Sequence, residues 1–160
     1  MVSIEDLKKI ALFRNLTDQM LEMLLSVVQE ESFGEREIIY EAGNAATHFY
    51  SLKRGKVLLE AELAPTLIIS LGAIKPGYSF GWVSLNPPAT HTSYAMSVEP
   101  SELLVMSGNE YSNLLDRNEA MGYLVMRNTA EILENRLERR TEQFLKVITK
   151  HPQIGTLLGL

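Results

Sequence analysis

The chain has 160 residues, room for one ordinary domain with an appended arm and too few for two independent cores. A composition of 46% apolar and 22% charged residues excludes a disordered chain. Fifteen basic against twenty acidic residues give a net charge of −5, which argues against autonomous nucleic-acid binding, and zero cysteines remove disulfides, thiolate metal sites, cysteine nucleophiles and iron–sulfur clusters. His48, His91 and His151 are too scattered for a metal motif. The longest mostly apolar stretch, Leu67 to Ile74, is interrupted by Ser70 and Gly72 and is far short of a membrane span. Met1-Val2-Ser3-Ile4-Glu5-Asp6 lacks the basic start and apolar run of a secretion signal. The expectation is a cytoplasmic binding or regulatory protein with no metal and no membrane partner.

In chain order, Ser3 is placed to cap a short helix carrying Ile4, Leu7 and Ile10. Thr17 is placed to cap a second, with Met20, Leu21, Leu24, Leu25 and Val28 at helical spacing. From Phe33 the period becomes two. Strands are predicted over 37–40, 49–53, 57–63, 66–71, 93–98 and 103–106. Val57, Leu59, Ala61 and Leu63 form the cleaner apolar face of the third, and Arg54-Gly55 before it predicts a hairpin with the second. Gly43-Asn44, Lys75-Pro76-Gly77, Asn86-Pro87-Pro88 and Glu99-Pro100 punctuate the rest. Many short strands so divided point to an antiparallel barrel or jelly roll.

Ser107-Gly108-Asn109-Glu110 reads as a capping box opening a helix through Leu114-Leu115. A longer helix follows to Lys150. In it Tyr123, Met126, Ala130, Leu133, Leu137, Phe144 and Val147 fall at alternating three- and four-residue spacing, a heptad seam interrupted only by Arg140. Such a seam fits either packing on the chain's own barrel or a homodimer. The polar opposite face (Asn128, Glu131, Asn135, Glu138, Glu142) favours a helix that extends beyond the barrel, hence the homodimer.

This order of parts resembles the cyclic-nucleotide-binding domain, with bacterial regulators of the catabolite activator type as its nearest likeness. The residues that carry the resemblance run from about 10 to 150. Leu12-Phe13, Leu16, Leu21 and Leu24 are similar to the lead-in helices. Gly34, Ile38, Glu41-Ala42-Gly43, Tyr50-Ser51-Leu52, Arg54-Gly55-Lys56-Val57, Gly77 and Phe80-Gly81 match the roll's spaced glycines. Glu99-Pro100-Ser101-Glu102-Leu103-Leu104 resembles the segment after the binding cassette. The resemblance implies an α+β, mainly β fold, a double-stranded β-helix (jelly roll) with N-terminal helices over 1–118. It also implies a long dimerisation helix over 119–150, here followed by a tail at 151–160.

In that family a cassette opening at the equivalent of Phe80-Gly81 turns backbone N–H groups towards the cyclic phosphate. A glutamate after the glycine holds the ribose, and an arginine nine or ten residues on neutralises the phosphate. Here Trp82 stands for the glutamate and His91 or Thr92 for the arginine. No lysine or arginine lies between Lys75 and Arg117. A hydrogen bond to a charged group is worth roughly 1.5–3 kcal/mol, so two lost anchors cost about 3–6 kcal/mol, or two to four decades in affinity. Cyclic nucleotide is therefore a disfavoured cofactor. The candidate ligand residues are Phe80, Gly81, Trp82, Val83, Ser84, His91, Thr92 and Ser93. The amides of Val83 and Ser84, with Thr92, Ser93 or protonated His91, are left as donors to an anion. Trp82 reads as a cavity plug or as a stacking platform for a flat ligand. His91 reads as an anion contact, a haem ligand or an ordinary loop side chain. Ser84, His91 and Thr92 make no hydrolase motif, and no catalytic residue is expected.

The resemblance implies that the long helix precedes a DNA-reading helix-turn-helix. After His151-Pro152 only residues 153–160 remain. Ile154, Thr156, Leu157, Leu158 and Leu160 resemble the start of its first helix, and eight residues cannot build the whole. The sequence thus predicts a homodimeric sensor domain with a degenerate cassette, open to a small-molecule effector and without direct DNA binding. The alternatives are a cyclic-nucleotide binder using backbone amides, a ligand-free dimerisation module, and the sensor half of a DNA-binding regulator.

Overall fold

Ser3 and Thr17 start the N-terminal helices by accepting N–H groups that a first helical turn leaves unpaired. The computed structural model describes residues 1–151 and residue 153, so the resemblance of 154–160 to a DNA-reading helix lies outside the described residues. Ser3 Oγ accepts from the Asp6 N–H at 3.2 Å, and the Asp6 carboxylate accepts from the Ser3 N–H at 3.2 Å, a reciprocal box opening α1 (Ile4–Lys8). Thr17 Oγ1 accepts from the Met20 N–H at 3.2 Å and opens α2 (Asp18–Leu24). Val28, expected as the last apolar position of that helix, instead begins the first strand. Val27-Val28 is β-branched and suits a pleated surface, and Val28 pairs with Met106.

Among the described residues eight strands follow: β1 (Val28–Phe33), β2 (Ile38–Tyr40), β3 (His48–Arg54), β4 (Val57–Ala64), β5 (Leu67–Ile74), β6 (Ser79–Phe80), β7 (Tyr94–Ser97) and β8 (Ser101–Ser107). They form two four-stranded antiparallel sheets ordered β1-β8-β3-β6 and β2-β7-β4-β5, the expected jelly roll. The predicted β3–β4 hairpin is not formed. β3 pairs with β8 and β6, whereas β4 pairs with β5 and β7, so Arg54-Gly55 carries the chain from one sheet to the other. Gly55 has φ +95°, and a Cβ there would stand 2.7 Å from the Pro100 carbonyl oxygen. Only glycine fits that crossing.

The core lies between the sheets. Tyr50, Leu52, Phe80, Leu103 and Val105 come from one sheet, Val57, Ile74 and Ala95 from the other. Alternate residues point inward, as the two-residue period requires. The apolar face of β4 is buried only at Val57; by Leu63 it is 64% exposed, because β4 and β5 run on as a hairpin whose far end carries exposed Leu67 and Ile68. Lys53 ties the N-terminal helices to the first sheet, reaching Glu30 at 3.1 Å and Asp6 at 3.4 Å. Burial alone would lower the pKa of Lys53, and these two carboxylates outweigh it and raise it.

Ser107 Oγ accepts from the Glu110 N–H at 3.5 Å to open α3 (Gly108–Arg117). Asn118 breaks the helix, its carbonyl accepting from the Gly122 N–H at 2.8 Å at the start of α4 (Glu119–Lys150). Two compact units result, one ending at Val125 and one starting at Met126, so the division falls within α4. The large seam side chains Tyr123, Met126, Leu133, Leu137, Phe144 and Val147 are 41 to 69% exposed. Asn128, counted from sequence with the polar face, is buried. Among the described residues no helix is long and apolar enough to cross a membrane.

Candidate functional site

The cassette region begins where β6 ends. Phe80 is fully buried, and Gly81, with φ 80°, caps a 3-10 turn over Trp82–Leu85. Its left-handed backbone favours glycine, and space does too: a Cβ would lie 3.0 Å from the Tyr50 ring and 3.1 Å from the His48 carbonyl oxygen. Buried Ser84 closes the turn, its N–H and its Oγ both donating to the Gly81 carbonyl at 3.1 and 2.8 Å. The Ser84 amide that the sequence left as an anion donor is thus committed within the turn. From below, α3 presses on it so closely that a Cβ at Gly108 would stand 2.2 Å from the Ser84 carbonyl oxygen.

Trp82 is half-buried and packs edge-on against Phe49, with ring centroids 5.0 Å apart at 65°. Phe49 in turn stacks on Tyr111 of α3 at 5.6 Å and 10°. The indole therefore sits in a continuous aromatic contact from β3 to α3.

His91 is only 5% exposed, and its imidazole stacks on Tyr40 at 3.6 Å and 6°. Tyr40 leans on Tyr50 and Phe80, which stack on each other at 5.2 Å, so four aromatic rings fill this part of the interior. The backbone around His91 is pinned as well: its N–H donates to the Asn44 carbonyl at 2.9 Å, and its carbonyl accepts from the Gly43 N–H at 2.8 Å. Burial pushes the imidazole pKa below its ordinary 6.5. A protonated His91, offered by the sequence as an anion contact, is therefore disfavoured in this setting. Burial, then the charge of Glu31, pushes the Tyr50 phenol up to about 12, so Tyr50 stays protonated at neutral pH.

Thr92 is exposed, and Val83 and Ser93 are half-buried. Of the predicted ligand residues, Thr92 alone lines a concavity of about 370 Å³ beside the β4–β5 hairpin. Its other walls include Ala42, Ala61, Glu62, Ala64 and Tyr94, none of which the sequence reading named as a ligand residue. They come from separate stretches of chain, and small alanines carry no signal of a ligand wall. Glu99 is exposed and Glu102 lies 3.8 Å from Arg54, an ion pair between the two inner strands of the first sheet. Among the described residues no group of three or more histidines and carboxylates could hold a metal ion.

The described geometry has counterparts in known proteins. The family model for the cyclic nucleotide-binding domain matches residues 30–118. The cyclic AMP receptor protein of Thermus thermophilus is 29% identical over 126 residues, which are 79% of this chain and 56% of that receptor. The chain thus spans little more than half the receptor's length. The crystal structure of the Thermus thermophilus catabolite activator protein superposes with a TM-score of 0.72 at 27% identity, covering 87% of this chain and 63% of that one. A cyclic nucleotide-binding domain from Methylobacillus flagellatus reaches a TM-score of 0.79 over 93% of this chain and 84% of its own, at 17% identity, a likeness of fold alone. With the two-sheet roll, the crossing at Gly55 and the left-handed turn at Gly81 in place, the chain belongs to the cyclic nucleotide-binding domain family.

Proposed function

We infer that this chain is a regulatory sensor domain with a degenerate cassette, one that lacks the ribose and phosphate contacts of a cyclic-nucleotide site and signals through α4 to a second copy of itself. The observation that carries the reading is His91. At the position where the resemblance puts a phosphate-neutralising arginine stands an imidazole that burial holds neutral, stacked on Tyr40. A neutral ring supplies no counter-charge, and moving it to meet an anion would forfeit its stacking. Trp82 likewise offers no carboxylate to a ribose, and its ring is engaged with Phe49. The left-handed turn at Gly81 and the close approach of Gly108 to Ser84 favour a shape that still relays a change to α3.

The second copy is favoured by the exposed seam of α4. Its heptad spacing is what a matching helix would bury, and Leu137 and Val147 gain nothing from solvent. A ligand-free dimerisation module is the second reading, favoured by the rings of Tyr40, Tyr50, Phe80 and His91 that fill the interior. The similarity to a receptor of which the aligned residues make up 56% supports a role as the sensor part of a larger regulator.

Trp82 is the only tryptophan, so its emission reports on the cassette directly. Titration with cyclic AMP and cyclic GMP is expected to give no saturable change at micromolar ligand. A saturable micromolar response dependent on both ribose and phosphate would overturn the degenerate-cassette reading.

A further inference from the structure

The concavity beside the β4–β5 hairpin has the wrong charge for a nucleotide and the right one for a cation. Glu62 is the charged group of its lining, and Tyr94 and Thr92 contribute a ring and two hydroxyls. Ala42, Ala61 and Ala64 form low apolar walls that leave room for methyl groups. A second carboxylate is close along the same strands, because Glu60 is the register partner of Tyr94. Glu62 in the lining and Glu60 opposite Tyr94 make this surface one that repels phosphate and raises the local concentration of cations.

A bare metal ion is a poor match. Calcium takes six to eight oxygen ligands, whereas this lining has one carboxylate. A carboxylate beside an aromatic ring, with small apolar walls, instead matches an alkylated ammonium group: the carboxylate neutralises it, the ring face attracts it and the walls take its methyl groups. Its volume of about 370 Å³ leaves room for a small molecule in a cleft open to solvent. We propose that this concavity binds a small organic ammonium compound, with Glu62 supplying the counter-charge, Tyr94 the ring and Ala42, Ala61 and Ala64 the apolar wall. The proposal rests on the reading that the effector is not a cyclic nucleotide, and it names the class of ligand that replaces one.

The test is calorimetric titration of the full chain with choline, with the uncharged alcohol in which carbon replaces its nitrogen, and with cyclic AMP. Saturable choline binding is expected at millimolar concentration or below. The carbon isostere should bind about tenfold more weakly or not at all, and Glu62→Gln and Tyr94→Leu should each weaken choline about tenfold. Glu99→Gln, outside the lining, should leave choline binding unchanged. Amide NMR spectra of each variant check that the roll is intact, and in the wild type choline should shift the amides of Ala61, Glu62 and Thr92. The ammonium site is overturned by equal binding of the isostere, by choline binding that survives both lining substitutions, or by no choline binding at all. Micromolar cyclic AMP binding overturns the functional reading itself, whereas silence of choline and cyclic AMP together overturns the ammonium site alone.

Discussion

Tyr111 and His91 show how burial decides what a polar side chain can do. The Tyr111 ring is fully buried, edge-on to Phe13 and stacked on Phe49, while its hydroxyl has no hydrogen-bond partner among the described residues. Burial pushes its pKa well above the usual phenol range. An unsatisfied buried hydroxyl costs about 1–3 kcal/mol, so Tyr111→Phe should raise stability by about 1 kcal/mol. Urea unfolding would show this as a higher midpoint at an unchanged slope. His91 makes a pH-dependent contribution. Its folded pKa is depressed below the ordinary 6.5, so the unfolded chain takes up the proton first. Stability is therefore full above about 6.5 and is lost as pH falls from there towards the folded-state value. His91→Phe keeps a ring against Tyr40 and removes that loss. Subtracting the variant's pH–stability curve from the wild type's isolates the effect, and a flat difference would refute the neutral, buried imidazole.

Between elements, close backbone approach fixes the cassette. Gly108 begins α3 directly beneath the Ser84 carbonyl, and the aromatic contact of Trp82, Phe49 and Tyr111 ties the same turn to the same helix. Two opposed effects bear on Gly108→Ala. Helix propensity favours alanine by about 1 kcal/mol, but a Cβ at 2.2 Å from a backbone oxygen forces one element to move. Overpacking of this kind costs about 1–3 kcal/mol, and because the obstacle is backbone rather than a flexible side chain the clash wins. Gly108→Ala should lower the melting temperature and shift the Trp82 emission. A variant with unchanged emission would mean that α3 and the cassette turn are not coupled.

For the whole molecule, the decisive feature is the exposed seam of α4. If a second copy covers it, Leu137→Glu places a charge in the seam and should leave a folded monomer, since Leu137 is 68% exposed within the chain and contributes little to its own core. Arg140 interrupts the apolar positions, and polar seam residues lower coiled-coil stability. Arg140→Leu should accordingly tighten the dimer by about tenfold or more. Light scattering across a concentration series reads both effects, and a wild-type chain that stays monomeric at high concentration would remove the seam's proposed role.

Much of the fold was legible in local sequence. Ser3 and Thr17 cap where small hydroxyl residues should, the two-residue period marks β4, and Gly43 and Gly77 mark turns between strands. Such signals depend on neighbours a few residues away, which is why they survive without tertiary context. The second helix was read too long because Val28 satisfies helical spacing as well as a strand start, and only pairing with Met106 selects the strand. β6 is too short to show a period. The Arg54-Gly55 turn looks like a hairpin locally, and its role as a crossing between sheets is set by β8 lying beside β3. The site was the least legible part. The sequence by itself determined that the chain is a mainly β roll with a long heptad helix, and that Trp82 and His91 stand where the resemblance expects a carboxylate and an arginine. Only the tertiary structure decided that His91 is buried on Tyr40, and that Glu62, Thr92 and Tyr94 share one concavity with Ala42. Charge state and concavity depend on which distant residues meet, and no local spacing encodes that.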